Sequence, residues 1–158
     1  MEKNKFTVIR DTREQKGWFF KETEYCAGMV DKKLDTGDYS IEGLEDLLCI
    51  ERKASTAEIA NNFIDKRFER ELERMQEFNY KFLILEFSLG DIISFPVSSD
   101  IPKKTWGRLR ISGNFLLKRL GEIQVNYGIG IIPCGDKYSA WQMANSIMKR
   151  VFEAENAR

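Results

Sequence analysis

The sequence centres on Gly37-Asp38-Tyr39-Ser40-Ile41 and Leu47-Leu48-Cys49-Ile50-Glu51-Arg52-Lys53, two stretches separated by Glu42–Asp46. The second stretch is an apolar run that becomes charged at its C-terminal end, which indicates a buried strand. Because successive side chains of a strand point to opposite faces, Glu51 and Lys53 share one face and Arg52 points to the other. If the two stretches pair as a hairpin, Asp38 lies beside Glu51.

This pairing would bring two carboxylates and one ammonium group to one point on the sheet. Asp38 and Glu51 offer two oxygen ligands and leave room for waters and a substrate phosphate, which is coordination that Mg²⁺ accepts. Lys53 beside that ion can orient an attacking water or neutralise charge that develops on a scissile phosphate. The pattern therefore predicts a metal-dependent nuclease.

The chain contains no histidine. This excludes serine–histidine and cysteine–histidine nucleophile pairs, histidine zinc sites and histidine-based nucleases. Hydrolysis must therefore depend on carboxylates, lysine and a hard cation bound by oxygen. The three cysteines, Cys26, Cys49 and Cys134, are far apart and form no CxxC pair, so we expect buried thiols rather than a zinc site or disulfides.

Length and composition predict one globular domain over residues 1–158. Hydrophobic residues make up 42% of the chain and charged residues 32%. No apolar run approaches the roughly 18 residues of a membrane span, so we expect no membrane partner. The N-terminus has no apolar core of signal-peptide length behind it, and we expect a cytoplasmic protein.

The net charge is zero, so a nucleic-acid partner has to be argued from the distribution of charge. The window from Ile101 to Gly121 holds six basic residues and no acidic ones, with Trp106 among the first four. A DNA backbone is one interpretation of this window, and an ordinary helix with basic outer positions is the other. The basic residues are Lys103, Lys104, Arg108, Arg110, Lys118 and Arg119.

Hydrophobic periodicity predicts a mixed α/β protein. A long helix followed by an apolar strand suggests a βαβ crossover and parallel strand pairs. We predict strands at 6–9, 82–87 and 127–133, a β-meander over 29–53, a helical turn at 89–94, and helices at 56–78, 103–120 and 139–153.

Two charged segments flank the central pair of stretches. In the loop after the first strand, Asp11 or Glu14 could supply a further carboxylate, although a solvated loop is the preferred interpretation of that segment alone. The charged face of the helix at 56–78 is typical of solvated i,i+4 pairs. Arg67 and Arg70 would reach a phosphate only if the start of this helix lies beside the site.

The chain resembles the XPF-type nuclease domain in three motifs that occur in the same order: Asp11-Thr12-Arg13-Glu14, Gly37-Asp38 and Glu51-Arg52-Lys53. The resemblance covers nearly the whole chain and suggests a free-standing form, as in small bacterial or phage proteins. It implies a restriction-endonuclease-like α/β core with a mixed central sheet flanked by helices. It also implies Mg²⁺- or Mn²⁺-dependent cleavage of branched, flapped or forked DNA, and a homodimer formed through the nuclease domain.

The resemblance also implies roles for individual residues. Asp38 and Glu51 would bind the metal, and Lys53 would be the catalytic lysine. Asp11 would be an additional acidic group in the catalytic and metal-binding set. The supporting charges would be Arg13, Glu14 and Arg52.

The chain departs from the family pattern at Ala57, where the family has an aspartate, and the nearest carboxylate is Glu58. One step along a helix turns a side chain by about 100°, so Glu58 is not an equivalent ligand. We also expect no helix-hairpin-helix or helicase module. Two alternatives remain: a catalytically inactive DNA-binding or scaffold domain that acts with a partner, favoured by Ala57, and an unrelated α/β enzyme whose charges are structural.

Overall fold

Residues 4–158, which this computed structural model describes, form a six-stranded mixed sheet flanked by helices. Its strand order is β2-β1-β3-β4-β5-β6. β3 pairs antiparallel with β1 and β4, whereas the remaining neighbours pair parallel. The strands are β1 (Phe6–Arg10), β2 (Cys26–Asp31), β3 (Tyr39–Ile41), β4 (Leu48–Lys53), β5 (Tyr80–Leu85) and β6 (Gly130–Pro133).

Helices cover both faces of the sheet. The first four pack against one face and the fifth against the other, so that β4 and β5 are buried on both sides. No helix within residues 4–158 combines the length and the apolar character that crossing a membrane requires. The helices are α1 (Thr56–Phe63), α2 (Lys66–Met75), α3 (Leu89–Ile93), α4 (Gly113–Tyr127) and α5 (Lys137–Asn156).

The side chains of β4 alternate between the two cores as its sequence predicts. Cys49 belongs to the core under α1–α4, and Leu48 and Ile50 belong to the core under α5. The same alternation places Glu51 and Lys53 towards α1 and α2 and Arg52 towards α5. The parallel pairing of β4 with β5 confirms the predicted crossover, and the mixed α/β class is confirmed.

The predicted β-meander over residues 29–53 is wrong. β2 pairs parallel with β1, and β1 lies between β2 and β3, with Val8 opposite Ile41. Adjacency in sequence suggested that β2 pairs with β3, but the buried strand β1 separates them. Because β1 lies directly beside β3, the charged segment that follows β1 also lies next to β3.

The predicted helix over residues 56–78 is two helices. Asp65 ends the continuity because its side chain accepts a hydrogen bond from the backbone N–H of Arg67 and caps the N-terminus of α2. The spacing of the apolar residues is consistent with this break between the two helices. Phe63 and Phe68 are five residues apart, and a single straight helix would place them on different faces. Residues 103–120 are also divided: a 3₁₀ helix spans Lys103–Arg108, and α4 begins only at Gly113.

Gly113 allows the start of α4 to pack against the end of α3. A Cβ atom at this position would lie far inside the contact distance of the Ile93 carbonyl oxygen, so a glycine is required. Ser112 caps α4 by accepting a hydrogen bond from the backbone N–H of Phe115. The last strand is shorter than predicted because α4 continues to Tyr127 and ends at Gly128, which has a left-handed backbone (φ 65°).

Candidate active site

The β3–β4 hairpin places Asp38 opposite Glu51. Tyr39 pairs with Ile50 across the hairpin, and the backbone N–H of Asp38 donates to the Ile50 carbonyl at 2.8 Å. The backbone N–H of Arg52 donates to Oδ2 of Asp38, also at 2.8 Å. The predicted meeting of the two carboxylates is therefore confirmed in the structure.

Gly37 is needed for this approach of the two strands. Its backbone lies in the left-handed region (φ 85°), and a Cβ atom would lie 2.6 Å from the sulfur of Cys49 on β4. Both constraints exclude a larger residue. The Gly-Asp pair thus has a steric explanation, since the glycine lets the segment lie against β4 and the next residue projects its carboxylate beside Glu51.

A cavity of about 350 Å³ opens at this point, at the C-terminal ends of β1 and β4. It brings together most of the residues predicted from the three motifs, and adds Glu58 from α1 and Glu71 from α2. The lining residues are Asp11, Arg13, Glu14, Gly37, Asp38, Glu51, Arg52, Glu58 and Glu71.

Lys53 supplies a cation in contact with Glu51, whereas Arg13 and Arg52 are cations that line the cavity itself. Nζ of Lys53 lies 3.2 Å from Oε1 of Glu51 and 3.8 Å from Oε1 of Glu58, and it lies 4.8 Å from the centroid of the Phe68 ring. The side chain is only 7% exposed, so its position is set by its neighbours. Burial lowers the pKa of Lys53, but the carboxylates around it, Glu51 first, outweigh this effect and raise the pKa above its ordinary value. The lysine is therefore charged.

The two carboxylates of the hairpin carry an unfavourable charge. Burial raises the pKa of Asp38 to about 7, against the opposing effect of the Arg52 backbone N–H. Burial also raises the pKa of Glu51 well above its ordinary value, and repulsion from Asp38 raises it further. A single ammonium group does not offset two carboxylates in this position, and a bound cation would do so.

Glu71 is a site residue that sequence reasoning missed, because it was assigned to the solvated face of a helix. Its carboxyl lies within hydrogen-bonding reach of the Glu51 carboxyl. Oε2 of Glu51 is buried and has no hydrogen-bonding donor among residues 4–158. The spacing contained a signal: Glu71 follows Phe68, which contacts Lys53, by three residues and so lies near it on α2.

Asp11 is brought to the cavity but is engaged within the protein. Its Oδ1 accepts from the backbone N–H of Leu34 at 2.8 Å, and its Oδ2 accepts from Nε of Arg13 at 2.7 Å. Burial would raise the pKa of Asp11, but these hydrogen bonds outweigh it and lower the pKa. Within residues 4–158, no three acidic, histidine or cysteine side chains converge to hold a metal ion. The oxygens of Asp11 face these donors, and the metal-binding set of Asp11, Asp38 and Glu51 stays a prediction.

Arg52 supports the site from the α5 face of the sheet. Its guanidinium contacts both oxygens of Glu86 at 2.9 Å and Oε1 of Glu14 at 3.1 Å. Oε2 of Glu86 also accepts from the indole N–H of Trp18 at 2.8 Å. The family resemblance includes an apolar strand that ends in a glutamate, here Glu86, but the sequence analysis assigned this residue no role. This network connects β4, β5 and the segment after β1.

The residues predicted to bind DNA lie outside the cavity. Arg67 is exposed and pairs with Asp65 at 2.9 Å, and Arg70 is exposed on the same helix. Arg108 and Arg110 line an apolar groove that also includes Ala57 of α1. Trp106 is half-buried, and its indole N–H donates to the Ile101 carbonyl at 2.9 Å. The exposed Lys103 and Lys104 begin the same segment.

Comparisons with known proteins agree with this architecture. Two solved structures of XPF from Aeropyrum pernix, one of them in complex with DNA, share the fold at 19% sequence identity, with TM-scores of 0.64 and 0.63. They match 92% and 95% of this chain, which spans 65% and 66% of theirs. The restriction-endonuclease-like fold is thereby confirmed. No curated protein sequence matches the chain.

Residues 10–150 match the sequence model of the ERCC4 domain. This range begins at the last residue of β1, extends into α5 and contains each side chain that lines the cavity. The match therefore covers the fold and the site together. The chain belongs to the ERCC4 domain family.

Proposed function

We propose that this chain is a DNA endonuclease that depends on a divalent metal, Mg²⁺ or Mn²⁺, and acts on branched, flapped or forked DNA. One observation supports the proposal most strongly: Asp38 and Glu51 are held side by side, with a buried Glu51 oxygen that has no donor among residues 4–158 and a charged Lys53 next to it. Carboxylates in this position are costly for a folded protein unless the site has a ligand.

The residues present fit a hard divalent cation. Asp38 and Glu51 would hold it, since carboxylate oxygens are its preferred ligands and Mg²⁺ commonly uses one or two carboxylates with water and phosphate oxygens. Oε2 of Glu51 is available for such a contact, and Glu71 beside it adds negative charge. When bound, the cation would supply stabilisation of the negative charge on the phosphate that is attacked.

The protein supplies the remaining contributions. Lys53 can donate a hydrogen bond to the attacking water or to a phosphate oxygen, and its contact with Glu51 holds it in place. The Arg52 backbone fixes Asp38, while its guanidinium connects the strand to Glu86. Asp11 and Arg13 hold the segment after β1 against Leu34. We therefore assign Asp11 a positioning role.

Several further features belong to the proposal. The exposed basic residues of the segment 103–110, with Arg67 and Arg70, would face the phosphate backbone, and Trp106 would anchor that segment. One of the matched XPF structures is a complex with DNA, which supports DNA as the partner. A homodimer formed through this domain and a role in DNA repair or recombination follow from the family resemblance, a cytoplasmic location was expected from the N-terminal sequence, and all three remain proposals.

A second candidate is a domain of the same family that binds DNA without cutting it. Ala57 favours it, because the family aspartate at this position is missing. Glu58 of the same turn lines the cavity, with its Oε2 accepting from the backbone N–H of Ala54 at 3.2 Å and its Oε1 lying 3.8 Å from Nζ of Lys53. Glu71 favours the first candidate, because it brings a carboxylate to the cavity from α2 although the family aspartate on α1 is missing.

The test is cleavage of end-labelled duplex, single-stranded, flapped and forked DNA with Mg²⁺, Mn²⁺ or EDTA. Glu51→Gln removes one carboxylate of the pair, and Glu42→Gln, at an exposed position before β4, is the matched control. Cleavage that needs a metal, persists in Glu42→Gln and is lost in Glu51→Gln supports the proposal. Binding without cleavage under every metal would favour the second candidate.

A further inference from the structure

An exposed aromatic surface lies at the same edge of the sheet as the cavity, on the α5 side. Phe19 is 68% exposed and Tyr138 is 66% exposed, and Trp141 lies next to Tyr138 with the ring centroids 5.9 Å apart. Together with Gly17, Trp18 and Lys137 these side chains line an open groove of about 530 Å³. We refer to Phe19, Tyr138 and Trp141 as the aromatic surface.

The segment that carries Phe19 is extended, and its side chains alternate. Trp18 and Phe20 are each only 2% exposed and belong to the core, whereas Phe19 and Lys21 point outward. The alternation places one aromatic ring and one cation on the same outer face, two residues apart. An outward Phe19 does not contribute to the core, so its exposure calls for another explanation.

The surface is held in place by hydrogen bonds to the same segment. The indole N–H of Trp141 donates to the Phe19 carbonyl at 2.9 Å, and Nζ of Lys137 donates to the Lys16 carbonyl at 2.8 Å. Trp141 also stacks on the buried Phe20. These contacts fix the position of the backbone that carries Phe19 before any ligand arrives, which lowers the entropic cost of binding.

The charge around the aromatic surface is positive. Lys16, Lys21 and Lys137 are exposed beside the rings. Carboxylates of the neighbouring segments have partners: Asp136 accepts from the backbone N–H of Ser139 at 2.7 Å, Glu14 turns inward to Arg52, and Glu22 pairs with Lys5 at 3.0 Å. Exposed rings next to cations suit a nucleic-acid strand, whose bases stack and whose phosphates are negative, better than an apolar protein face.

The aromatic surface is continuous with the active-site edge. Trp18, which lines the groove, donates its indole N–H to Glu86, and Glu86 contacts Arg52 of the catalytic strand. All strands that run parallel to β4 end at this edge, and α5 begins there. The segment after β1 lines the cavity through Asp11 and Glu14 and the groove through Phe19, so it connects the two sites.

We propose that the aromatic surface is a binding site for single-stranded DNA, with unpaired bases stacked on Phe19 and Tyr138 and phosphates facing Lys21 and Lys137. The inference rests on the proposed function for its ligand, DNA. It adds a physical basis for selecting DNA with unpaired bases next to the scissile phosphate, because a base within a duplex has no free face for these rings.

The test measures binding without cleavage. Fluorescence anisotropy of a labelled 15-nucleotide oligothymidine and of a labelled blunt 15-base-pair duplex is recorded in EDTA. The double variant Phe19→Ala/Tyr138→Ala is compared with Phe115→Ala/Val125→Ala, which removes exposed apolar side chains from α4. We expect the first variant to lose on the order of 10-fold to 100-fold in affinity for oligothymidine and less than about twofold for the duplex. The α4 variant should bind both like the unmodified protein.

Two results would overturn the inference. One is an affinity for oligothymidine that does not change in Phe19→Ala/Tyr138→Ala. The other is a conversion from dimer to monomer in that variant, seen by light scattering, which would identify the surface as a contact between copies of the chain. Failure of the proposed nuclease function gives a different result, namely no cleavage by the unmodified protein with any metal, and leaves the anisotropy measurement interpretable.

Discussion

The backbone N–H of Arg52 donates a 2.8 Å hydrogen bond to the carboxylate of Asp38 and thereby joins the two central motifs of the chain. The bond fixes the Asp38 side chain against β4, where Asp38 lines the cavity. Because the donor is a backbone group, an amide oxygen at position 38 can accept the same bond. Asp38→Asn therefore removes the charge and preserves the hairpin.

We expect Asp38→Asn to lower the rate of DNA cleavage by on the order of 10³-fold, a size typical of removing a group that stabilises charge in the transition state. DNA affinity in EDTA should stay within about threefold, because the phosphate-binding surface is unchanged. Gel assays of labelled forked DNA and anisotropy measure the two effects. Asp46→Asn, at an exposed position of the same hairpin, is the control and should cut normally.

The raised pKa of Asp38 predicts that the stability of the protein depends on pH and that Asp38→Asn reduces this dependence. The pKa of Asp38 rises from 3.8 to about 7 on folding, so the folded state binds this proton more tightly than the unfolded state. The free energy of unfolding contributed by this group is therefore lost as pH increases from about 4 to about 7. In EDTA, Tm of the unmodified protein should fall more steeply between pH 5 and pH 7.5 than Tm of Asp38→Asn. Parallel Tm profiles would contradict this prediction.

Glu71→Gln should weaken divalent-cation binding. Glu71 lies within hydrogen-bonding reach of Glu51 and lines the cavity, and removing its charge makes the site less negative. We expect about a 10-fold loss of Mn²⁺ affinity by calorimetry, the scale found when a group behind a ligand is changed. Glu73→Gln, exposed on the same helix, should bind Mn²⁺ like the unmodified protein. If the unmodified protein, Glu71→Gln and Glu73→Gln bind Mn²⁺ with equal affinity, Glu71 does not contribute to metal binding.

Arg108→Ala/Arg110→Ala tests the basic segment. If each arginine contacts one phosphate, the slope of log affinity against log salt concentration should become shallower by about 2. The loss should be similar for DNA of different sequence, because phosphate contacts do not depend on the bases. Lys149→Ala/Arg150→Ala, in the C-terminal half of α5, is the matched control. An unchanged slope in the first variant would mean that the segment does not face DNA.

Glu86→Ala should destabilise the fold. It removes both Glu86 contacts of the Arg52 guanidinium, which is only 9% exposed and keeps its contact with Glu14, and it removes the acceptor of the Trp18 indole. Breaking a buried ion pair in this way costs about 3 to 5 kcal/mol, measured as the free energy of unfolding in urea. Glu45→Ala breaks the exposed pair with Lys32 and should cost less than about 1 kcal/mol. A similar small loss in both variants would show that Arg52 does not depend on Glu86.

The central site could be predicted because its determinants are local. Alternation along β4 follows from strand geometry, so that Glu51 and Lys53 share a face whatever surrounds them. The short connection between β3 and β4 makes a hairpin the expected pairing, and this is enough to place Asp38 beside Glu51. The absence of histidine by itself limits the available chemistry to carboxylates, lysine and a cation bound by oxygen.

Contacts between distant segments depended on the tertiary structure. β1 lies between β2 and β3, and this order, which sequence adjacency did not indicate, brings Asp11 to the cavity and turns its oxygens to Leu34 and Arg13. The sequence carries a signal for each of two further glutamates, since Glu71 is three residues from Phe68 and Glu86 follows an apolar strand, but neither signal identifies the residues that they meet. They become part of the site and its support because packing of α2 and β5 carries them there, and helix or strand periodicity alone contains no information about which neighbouring element each face will meet.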